Sequence, residues 1–292
     1  MISNVEAIYD KMCIDGFKDI EEKCRKDTGY IFGRDDKGNT MLHYAAGDGN
    51  LNAIEKLMNH GSCPFICNSF GMTPLSNIAG CDNSLALKYM LERSYPGLLD
   101  DNRAELMAIA ASKGKFENLN LMISNGFNCD AYYRGDPILY WAMQSASLDI
   151  IRLLHKHGAD INAINGEGKT PIFDASGFGL ADILEYLISH GACIDKATSD
   201  GTTPLIIASC YNQIDVTRIL LSHNCDIDAK TTGGITALLY AVVYGNVEIV
   251  RLLIDNGADK NIADRKNKGI DAYCNRIKSK RIKNQMKTVL KI

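Results

Sequence analysis

The sequence predicts an all-α repeat solenoid, built from stacked helix-turn-helix units with β-turns projecting between them. Three observations support this fold class. A 13-residue pattern recurs along the chain at steps of 32 or 33 residues, each copy carries signals that start and stop a short helix, and an amphipathic helix pattern follows it. Self-similarity at a fixed period is typical of repeat proteins, in which each unit packs on its neighbours.

The recurring pattern is clearest at residues 38–50, which read GNTMLHYAAGDGN. The seven copies begin at residues 38, 71, 103, 135, 168, 201 and 234, and those at 103 and 135 are the weakest. A threonine in the third position of most copies can cap a helix N-terminus. The proline that follows it in three copies suits the first helical position, where its missing N–H is not needed. Each copy therefore predicts the start of a short helix.

A slot that favours the left-handed conformation is expected to end each short helix. This slot holds Gly49, Gly114, Gly179 and Gly245, with Asp82, Ala146 and Asn212 in the other copies. A second helix follows, as in NLNAIEKLMNHG and NVEIVRLLIDNG, with apolar residues three and four apart and a glycine stop. Loops rich in turn-forming residues complete each unit and are expected to project from the helices.

This combination resembles the ankyrin repeat family, whose pattern is G-x-T-P-L-H-x-A, a helix ending in L-L, and G-A-D-x-N. The match is close at Gly38–Asn50, Gly158–Asn162 and Gly257–Asn261. The resemblance implies stacked helix pairs in a curved solenoid, with seven repeats at about residues 33–68, 69–100, 101–132, 133–165, 166–198, 199–231 and 232–264. Residues 94–103 depart most from the pattern, and we expect a bend or an irregular loop there.

Both ends of the chain are expected to cap the array. Residues 1–32 include Gly16, 33 residues before Gly49, and predict a capping helix pair that lacks the first turn motif. Residues 265–292, with Gly269 in register, predict basic C-terminal capping helices. Terminal units need a polar outer face because only one side of each is stacked.

The composition disfavours several classes of function. Hydrophobic residues form 46% of the 292, no apolar run is long enough for a membrane helix, and the start lacks a signal-peptide pattern. Ten cysteines without a C-x-x-C pair indicate reduced thiols in the cytoplasm and disfavour a zinc site. Residues 260–292 carry 11 basic and two acidic residues, a net charge of +9, whereas the preceding residues carry 21 basic and 33 acidic residues, a net charge of −12.

The histidines favour structural roles over catalytic ones. His60, His157, His190 and His223 share the position that closes the second helix, where an imidazole can donate to the terminal carbonyls. His43, in the first copy, is expected to hydrogen-bond near Thr40 and steady the loop. The sequence contains no nucleophile elbow, phosphate-binding glycine loop or H-E-x-x-H motif, and it predicts no enzyme activity, no cofactor and no metal site.

The resemblance places three residues of each short helix on the concave face of the solenoid. The first of these positions holds Tyr44, Asn77, Ile109, Trp141, Asp174, Ile207 and Tyr240. Large aromatic residues, which are enriched at binding hot spots, gather on this face in the last four repeats. The predicted partner-binding residues are Tyr44, Trp141, Phe178, Tyr211, Tyr240 and Tyr244, with Tyr132 and Tyr133 on a nearby turn. The alternative is that some of these rings pack between neighbouring short helices.

These observations favour a non-enzymatic interaction module, an adaptor, inhibitor or effector, that binds one or more partner proteins as a monomer. The chain contains 32 Ile, 23 Asn and 21 Lys residues, a bias typical of AT-rich genomes, so an effector secreted into a host cytoplasm is one version of this prediction. The Leu154–Asn162 segment resembles the site at which ankyrin asparagines are hydroxylated in animal cells, which makes Asn162 a candidate for that modification.

The alternative function is binding of an anionic partner, nucleic acid or an acidic membrane, by the basic C-terminal segment. Its basic residues Arg276, Lys278, Lys280, Arg281, Lys283 and Lys287 are interleaved with apolar ones. Polybasic helices can bind either partner, but this one has few aromatic residues for stacking on bases. The simpler interpretation is a capping helix with a solvated face.

Overall fold

The computed structural model of the chain describes residues 5–17, 20–26, 30–94 and 96–292. The described residues fall into two compact units: those within Met1–Arg134 together with Arg152–Gly158, and those within Gly135–Ile151 together with Ala159–Ile292. Part of the predicted N-terminal cap (residues 1–4, 18–19 and 27–29) and one residue of the predicted bend (Tyr95) lie outside the described residues.

The first unit is a succession of helix pairs. Its elements are α1 (Val5–Ile14), α2 (Ile20–Lys26), a 3-10 turn (Tyr30–Phe32), α3 (Met41–Gly47), α4 (Leu51–Asn59), α5 (Pro74–Ala79), α6 (Ser84–Glu92), α7 (Pro96–Ser112), α8 (Phe116–Ser124) and the strand β1 (Tyr132–Tyr133). The first helices of successive repeats pack side by side, α3 on α5 and α5 on α7. The second helices do the same, α4 on α6 and α6 on α8.

The second unit repeats this arrangement. Its elements are the strand β2 (Asp136–Pro137), α9 (Ile138–Met143), α11 (Pro171–Phe178), α12 (Ala181–Ser189), α13 (Pro204–Cys210), α14 (Ile214–Ser222), α15 (Ala237–Tyr244), α16 (Val247–Asp255), α17 (Ile270–Cys274) and α18 (Lys280–Leu290), and α10 (Leu148–Lys156) has residues in both units. The first helices α9, α11, α13, α15 and α17 pack in series, as do the second helices α12, α14, α16 and α18. The predicted all-α repeat solenoid is confirmed.

The short helices begin where the threonine signals place them. The Thr73, Thr203 and Thr236 hydroxyls each accept a hydrogen bond from the backbone N–H three residues on, at 3.0 to 3.3 Å. In the first repeat, the His43 Nδ1 accepts from the Thr40 N–H at 3.0 Å, and the His43 Nε2–H donates to the Met72 carbonyl at 3.1 Å. The predicted structural role of His43 is therefore confirmed.

Helix ends also follow the sequence signals. All four glycines of the C-terminal slot have φ values between 65° and 76°, and the replacements Ala146 and Asn212 adopt the same left-handed conformation. His60, His190 and His223 donate through Nδ1 to the carbonyl four residues earlier, at 2.7, 2.8 and 3.0 Å. These contacts satisfy carbonyls that the helix end leaves without a partner.

A side-chain acceptor at the start of the loop holds four of the predicted β-turns. The Asp35 carboxylate accepts from the N–H groups of Lys37 and Asn39, and Asn68, Asn165 and Asp264 make the equivalent pair of bonds in their loops. A second set of bonds links successive loops in the second unit. Asn162 accepts from the Cys193 N–H, Asp195 from the Asp226 N–H and Asp228 from the Asp259 N–H, at 2.9 to 3.0 Å.

The expected bend at residues 94–103 is wrong for the residues that the structure describes, because α7 runs unbroken from Pro96 to Ser112. Proline suits the first turn of a helix, and no further proline or glycine follows Gly97 until Gly114. Arg103 reinforces the helix: its Nε lies 2.8 Å from the Asp100 carboxylate and its guanidinium 4.7 Å from the Phe127 ring centroid. The third repeat thus joins its loop and its first helix in one long helix.

The basic segment at the C-terminus forms α17 and α18. Met286 and Leu290 of α18 are buried, and α18 packs on α16 and α17. Arg276, Lys278, Lys280 and Arg281 are exposed. The buried apolar side chains of α18 therefore lie against the preceding elements, four of the basic side chains face solvent, and Lys283 and Lys287 are half-buried.

Candidate functional site

Five aromatic residues lie on the first helices of the second unit or directly after them, and we call them the aromatic ridge: Trp141, Phe178, Tyr211, Tyr240 and Tyr244. Phe178 closes α11, Tyr211 follows α13, and Tyr244 closes α15. These three side chains are 61%, 63% and 58% exposed. Trp141 and Tyr240 are half-buried.

Three rings of the aromatic ridge contact a neighbouring ring. The Tyr240 and Tyr244 rings stack with centroids 6.3 Å apart and an interplanar angle of 11°. Trp141 meets Tyr140 edge to face, at 5.7 Å and 79°. Both contacts join rings of the same helix, so the alternative, that some of these rings pack between neighbouring short helices, stays a prediction. Phe178, Tyr211 and Tyr244 keep most of their surface in solvent.

The other predicted binding residues belong to the first unit. The Tyr44 hydroxyl donates to the Asp35 carboxylate at 2.6 Å, and its ring stacks on Tyr9 with centroids 6.0 Å apart. Tyr132 is 52% exposed, whereas Tyr133 is half-buried with the Arg134 guanidinium 5.1 Å from its ring centroid. Tyr44 therefore has an intramolecular role, and its contact with a partner stays a prediction.

A groove of about 530 Å³ opens beside the ridge, within the range of ligand-binding clefts. Its lining residues are Lys169, Phe173, Asp174, Gly177, Phe178, Ile207, Tyr211 and Gln213. Gln213 fixes one end because its side-chain amide donates to the Gly177 carbonyl at 3.0 Å, tying the end of α11 to the loop before α14. Most of these lining residues are apolar or aromatic, and only one of them carries a carboxylate.

That carboxylate belongs to Asp174, which is only 8% exposed. Within the described residues it receives no hydrogen bond. Burial raises its pKa to about 6, the nearby Lys169 ammonium lowers it, and the Glu167 and Asp136 carboxylates raise it further. The Lys169 Nζ is itself 2.5 Å from a Glu167 oxygen, so much of its charge is already balanced.

Sequence reasoning located the position of Asp174 on the face but selected the aromatic residues around it. The sequence did contain a signal for Asp174, because this acid occupies a position that holds Tyr44, Trp141 or Tyr240 in three other repeats and Ile in two. Lys169, Phe173 and Gln213 carried no such signal, because their contribution depends on how deep the groove is between adjacent repeats.

Asn162, the candidate hydroxylation site, lies in a loop and is engaged on both sides of its amide. Its Nδ2 donates to the Gly191 carbonyl at 3.2 Å, and its Oδ1 accepts from the Cys193 N–H at 2.9 Å. Its own N–H donates to the Asp160 carboxylate at 2.9 Å. The asparagine is therefore a structural link between two loops, and its modification stays a prediction.

The remaining chemistry of the described residues is sparse. The nine cysteines whose state the structure describes are free thiols. No cluster of three or more potential metal ligands occurs among the described residues. In the same part of the chain, every helix is too short or too polar to cross a bilayer.

Comparison with known proteins identifies the repeats. The family model described as "Ankyrin repeats (3 copies)" matches residues 18–97, 77–165, 106–198, 157–231 and 194–264, so its matches extend over most of the chain. Ankyrin repeats are in general protein–protein interaction modules and are typically not enzymes.

Three curated proteins are similar over about half of the chain. They are the potassium channel AKT2/3 of Arabidopsis thaliana (28% identical over 144 residues), the oxysterol-binding protein homolog 2 of Saccharomyces cerevisiae (26% over 145) and the B-cell lymphoma 3 protein homolog of Mus musculus (28% over 148). The matches cover 47%, 48% and 48% of this chain, and 17%, 11% and 33% of those proteins. The similarity is thus confined to a part of each relative.

Proposed function

Because the chain belongs to the ankyrin repeat family, we propose that it binds a partner protein through the aromatic ridge, on the concave face of its short helices. One observation carries the proposal: Phe178, Tyr211 and Tyr244 expose more than half of their surface on consecutive repeats. Exposed aromatic clusters are costly in water and are enriched at binding hot spots. The chain acts as an adaptor, inhibitor or effector by occupying its partner, without chemistry of its own.

The regular placement of the rings along the repeats supports this proposal. Phe178 and Tyr211 occupy equivalent positions 33 residues apart, on first helices that pack against one another. Tyr244 continues the series and is held by stacking on Tyr240. An aromatic side chain restrained as Tyr244 is loses little conformational entropy on binding, so its burial contributes to affinity more fully than that of a flexible side chain.

The test combines capture with direct titration. Binding proteins are captured with the intact chain and with a Trp141→Ala/Tyr211→Ala double variant, and a protein lost from the second sample is titrated against single variants. Phe178→Ala and Tyr211→Ala should each weaken binding by about tenfold, as hot-spot truncations do. The control is Phe70→Ala, which removes a ring that is 71% exposed but lies on a turn of the first unit.

Stability measurements complete the experiment. Phe178 and Tyr211 are mostly exposed, so their truncation should change the free energy of unfolding by about 1 kcal/mol or less. Unchanged affinity in both variants would refute the proposal. So would a loss of affinity that simply follows a loss of folded protein.

A further inference from the structure

We propose that the groove beside the ridge is a subsite for an arginine side chain of the partner protein, with the guanidinium paired to Asp174 and stacked on the Phe178 and Tyr211 rings. This inference rests on the proposed function and adds the chemistry of the contact. It is carried by a carboxylate that is more than nine-tenths buried, receives no hydrogen bond within the described residues, and lines a groove open to solvent.

An ionised carboxylate in such a place lacks a partner. Burying a charge without pairing it is unfavourable, and buried acids in proteins are normally matched by a cation or by hydrogen-bond donors. The one basic residue of the groove, Lys169, is paired with Glu167 on its outer side. Asp174 therefore retains the capacity to accept two hydrogen bonds from a donor that enters the groove.

The charge around the groove favours a cation. Asp136, Glu167 and Asp174 contribute three negative charges against the single positive charge of Lys169. Residues 135–264 as a whole carry 16 acidic and eight basic residues. An approaching anion would be repelled, whereas a basic segment of a partner would be attracted at long range and oriented before contact.

The walls of the groove favour arginine over other cations. Phe178 lies one helical turn after Asp174, and Tyr211 occupies the equivalent place on the next repeat, so both rings line the same groove as the carboxylate. A guanidinium is planar, stacks on aromatic rings and pairs with a carboxylate through two parallel hydrogen bonds. The aliphatic part of the same side chain can cover Ile207 and Phe173.

The experiment uses a displayed library of random dodecapeptides, selected on the intact chain at neutral pH. We expect the recovered peptides to share an arginine beside an apolar residue. A selected peptide is then compared with a copy in which citrulline, a neutral side chain of nearly the same shape, replaces that arginine. On the wild-type chain the citrulline peptide should bind about tenfold more weakly, the usual loss for a hydrogen-bonded ion pair.

Variants assign the effect to one residue. With Asp174→Asn the two peptides should bind equally, whereas with Asp255→Asn, which removes an exposed acid on α16, the tenfold difference should persist. The inference is overturned if selection yields no peptide, if the recovered peptides lack arginine, or if Asp174→Asn leaves the difference intact. Peptides that lack arginine but are lost with Tyr211→Ala would overturn the subsite alone, and binding insensitive to Tyr211→Ala would overturn the proposed function as well.

Discussion

Replacing Asp174 by asparagine should stabilise the protein at neutral pH and leave its stability almost unchanged in acid. The side chain is 8% exposed, and burial raises its pKa from 3.8 to about 6. A shift of about two units corresponds to about 3 kcal/mol between the protonated and ionised forms. Because the folded state holds the proton more tightly than the unfolded chain, this group is least destabilising below pH 3.8.

The sign of the effect follows from the same shift. As the pH rises from 3.8 to about 6, the unfolded chain releases its proton first, and the wild-type protein loses about 3 kcal/mol relative to Asp174→Asn. Above that range the difference becomes constant. Other carboxylates, such as Asp35, Asp200 and Asp264, have pKa values that hydrogen bonds hold below their usual range, and they oppose this trend in both proteins. The comparison between the two proteins cancels them.

Urea unfolding followed by tryptophan fluorescence is the suitable assay. Trp141 is the single tryptophan and lies on α9, which packs on the helix that carries Asp174. The free energy of unfolding is measured from about pH 3.5 to about pH 7.5, with equal slopes against urea as the condition for comparing the two proteins. Asp255→Asn, the exposed control, should differ from wild type by less than about 0.5 kcal/mol throughout. A difference for Asp174→Asn that is flat, or that slopes in the opposite direction, would refute the reasoning.

Three further predictions concern stability. Thr203→Ala should lower the free energy of unfolding by about 1 kcal/mol, because the Thr203 hydroxyl caps its helix. Thr170→Ala should lower it clearly less, because the buried Thr170 hydroxyl has no partner among the described residues, and urea unfolding of both variants checks this difference. Gly201→Ala should lower the free energy of unfolding by at least about 1 kcal/mol more than Gly168→Ala. Both glycines have left-handed φ values, but only at Gly201 would an added Cβ lie 2.9 Å from backbone atoms of the next loop, and equal losses would contradict this close approach. Met286→Ala should cost about 2 to 5 kcal/mol, seen as earlier thermal unfolding by circular dichroism, and an unchanged midpoint would mean that α18 contributes little to the stack.

Local signals predicted most of the fold. Where they are present, the threonine before a short helix and the glycine after it determine where that helix starts and stops, so the roles of Thr73 and Gly179 were predictable from the sequence. The sequence pattern does not predict the long α7, because its repeat has the glycine marker Gly114 but lacks the threonine that marks the start of a short helix. There, a proline and a run of helix-forming residues determined the conformation, and a search for the repeat pattern gives them no weight.

The candidate site was less predictable than the fold, because it depends on how deeply each side chain is buried in the groove. The sequence places Asp174, Phe178 and Tyr211 on one face, but their exposures differ from 8% to 63%. That difference arises from side chains of the adjacent repeat, such as Ile207 and the Gln213 that reaches the Gly177 carbonyl. Contacts of this kind join residues more than 30 positions apart, and no short window of sequence contains both partners.

The links between successive loops bear on how the second unit would respond to force. Asn162, Asp195 and Asp228 each hold a backbone N–H of the following loop, and the helix packings described above join neighbouring repeats. Tension applied at the C-terminus would load these links one after another. Each yielding step would release about 33 residues, or about 110 Å of extended chain. A force–extension trace of the protein would then show a sawtooth with that spacing. Unfolding one repeat at a time would let the array lengthen gradually while the remaining repeats stay folded.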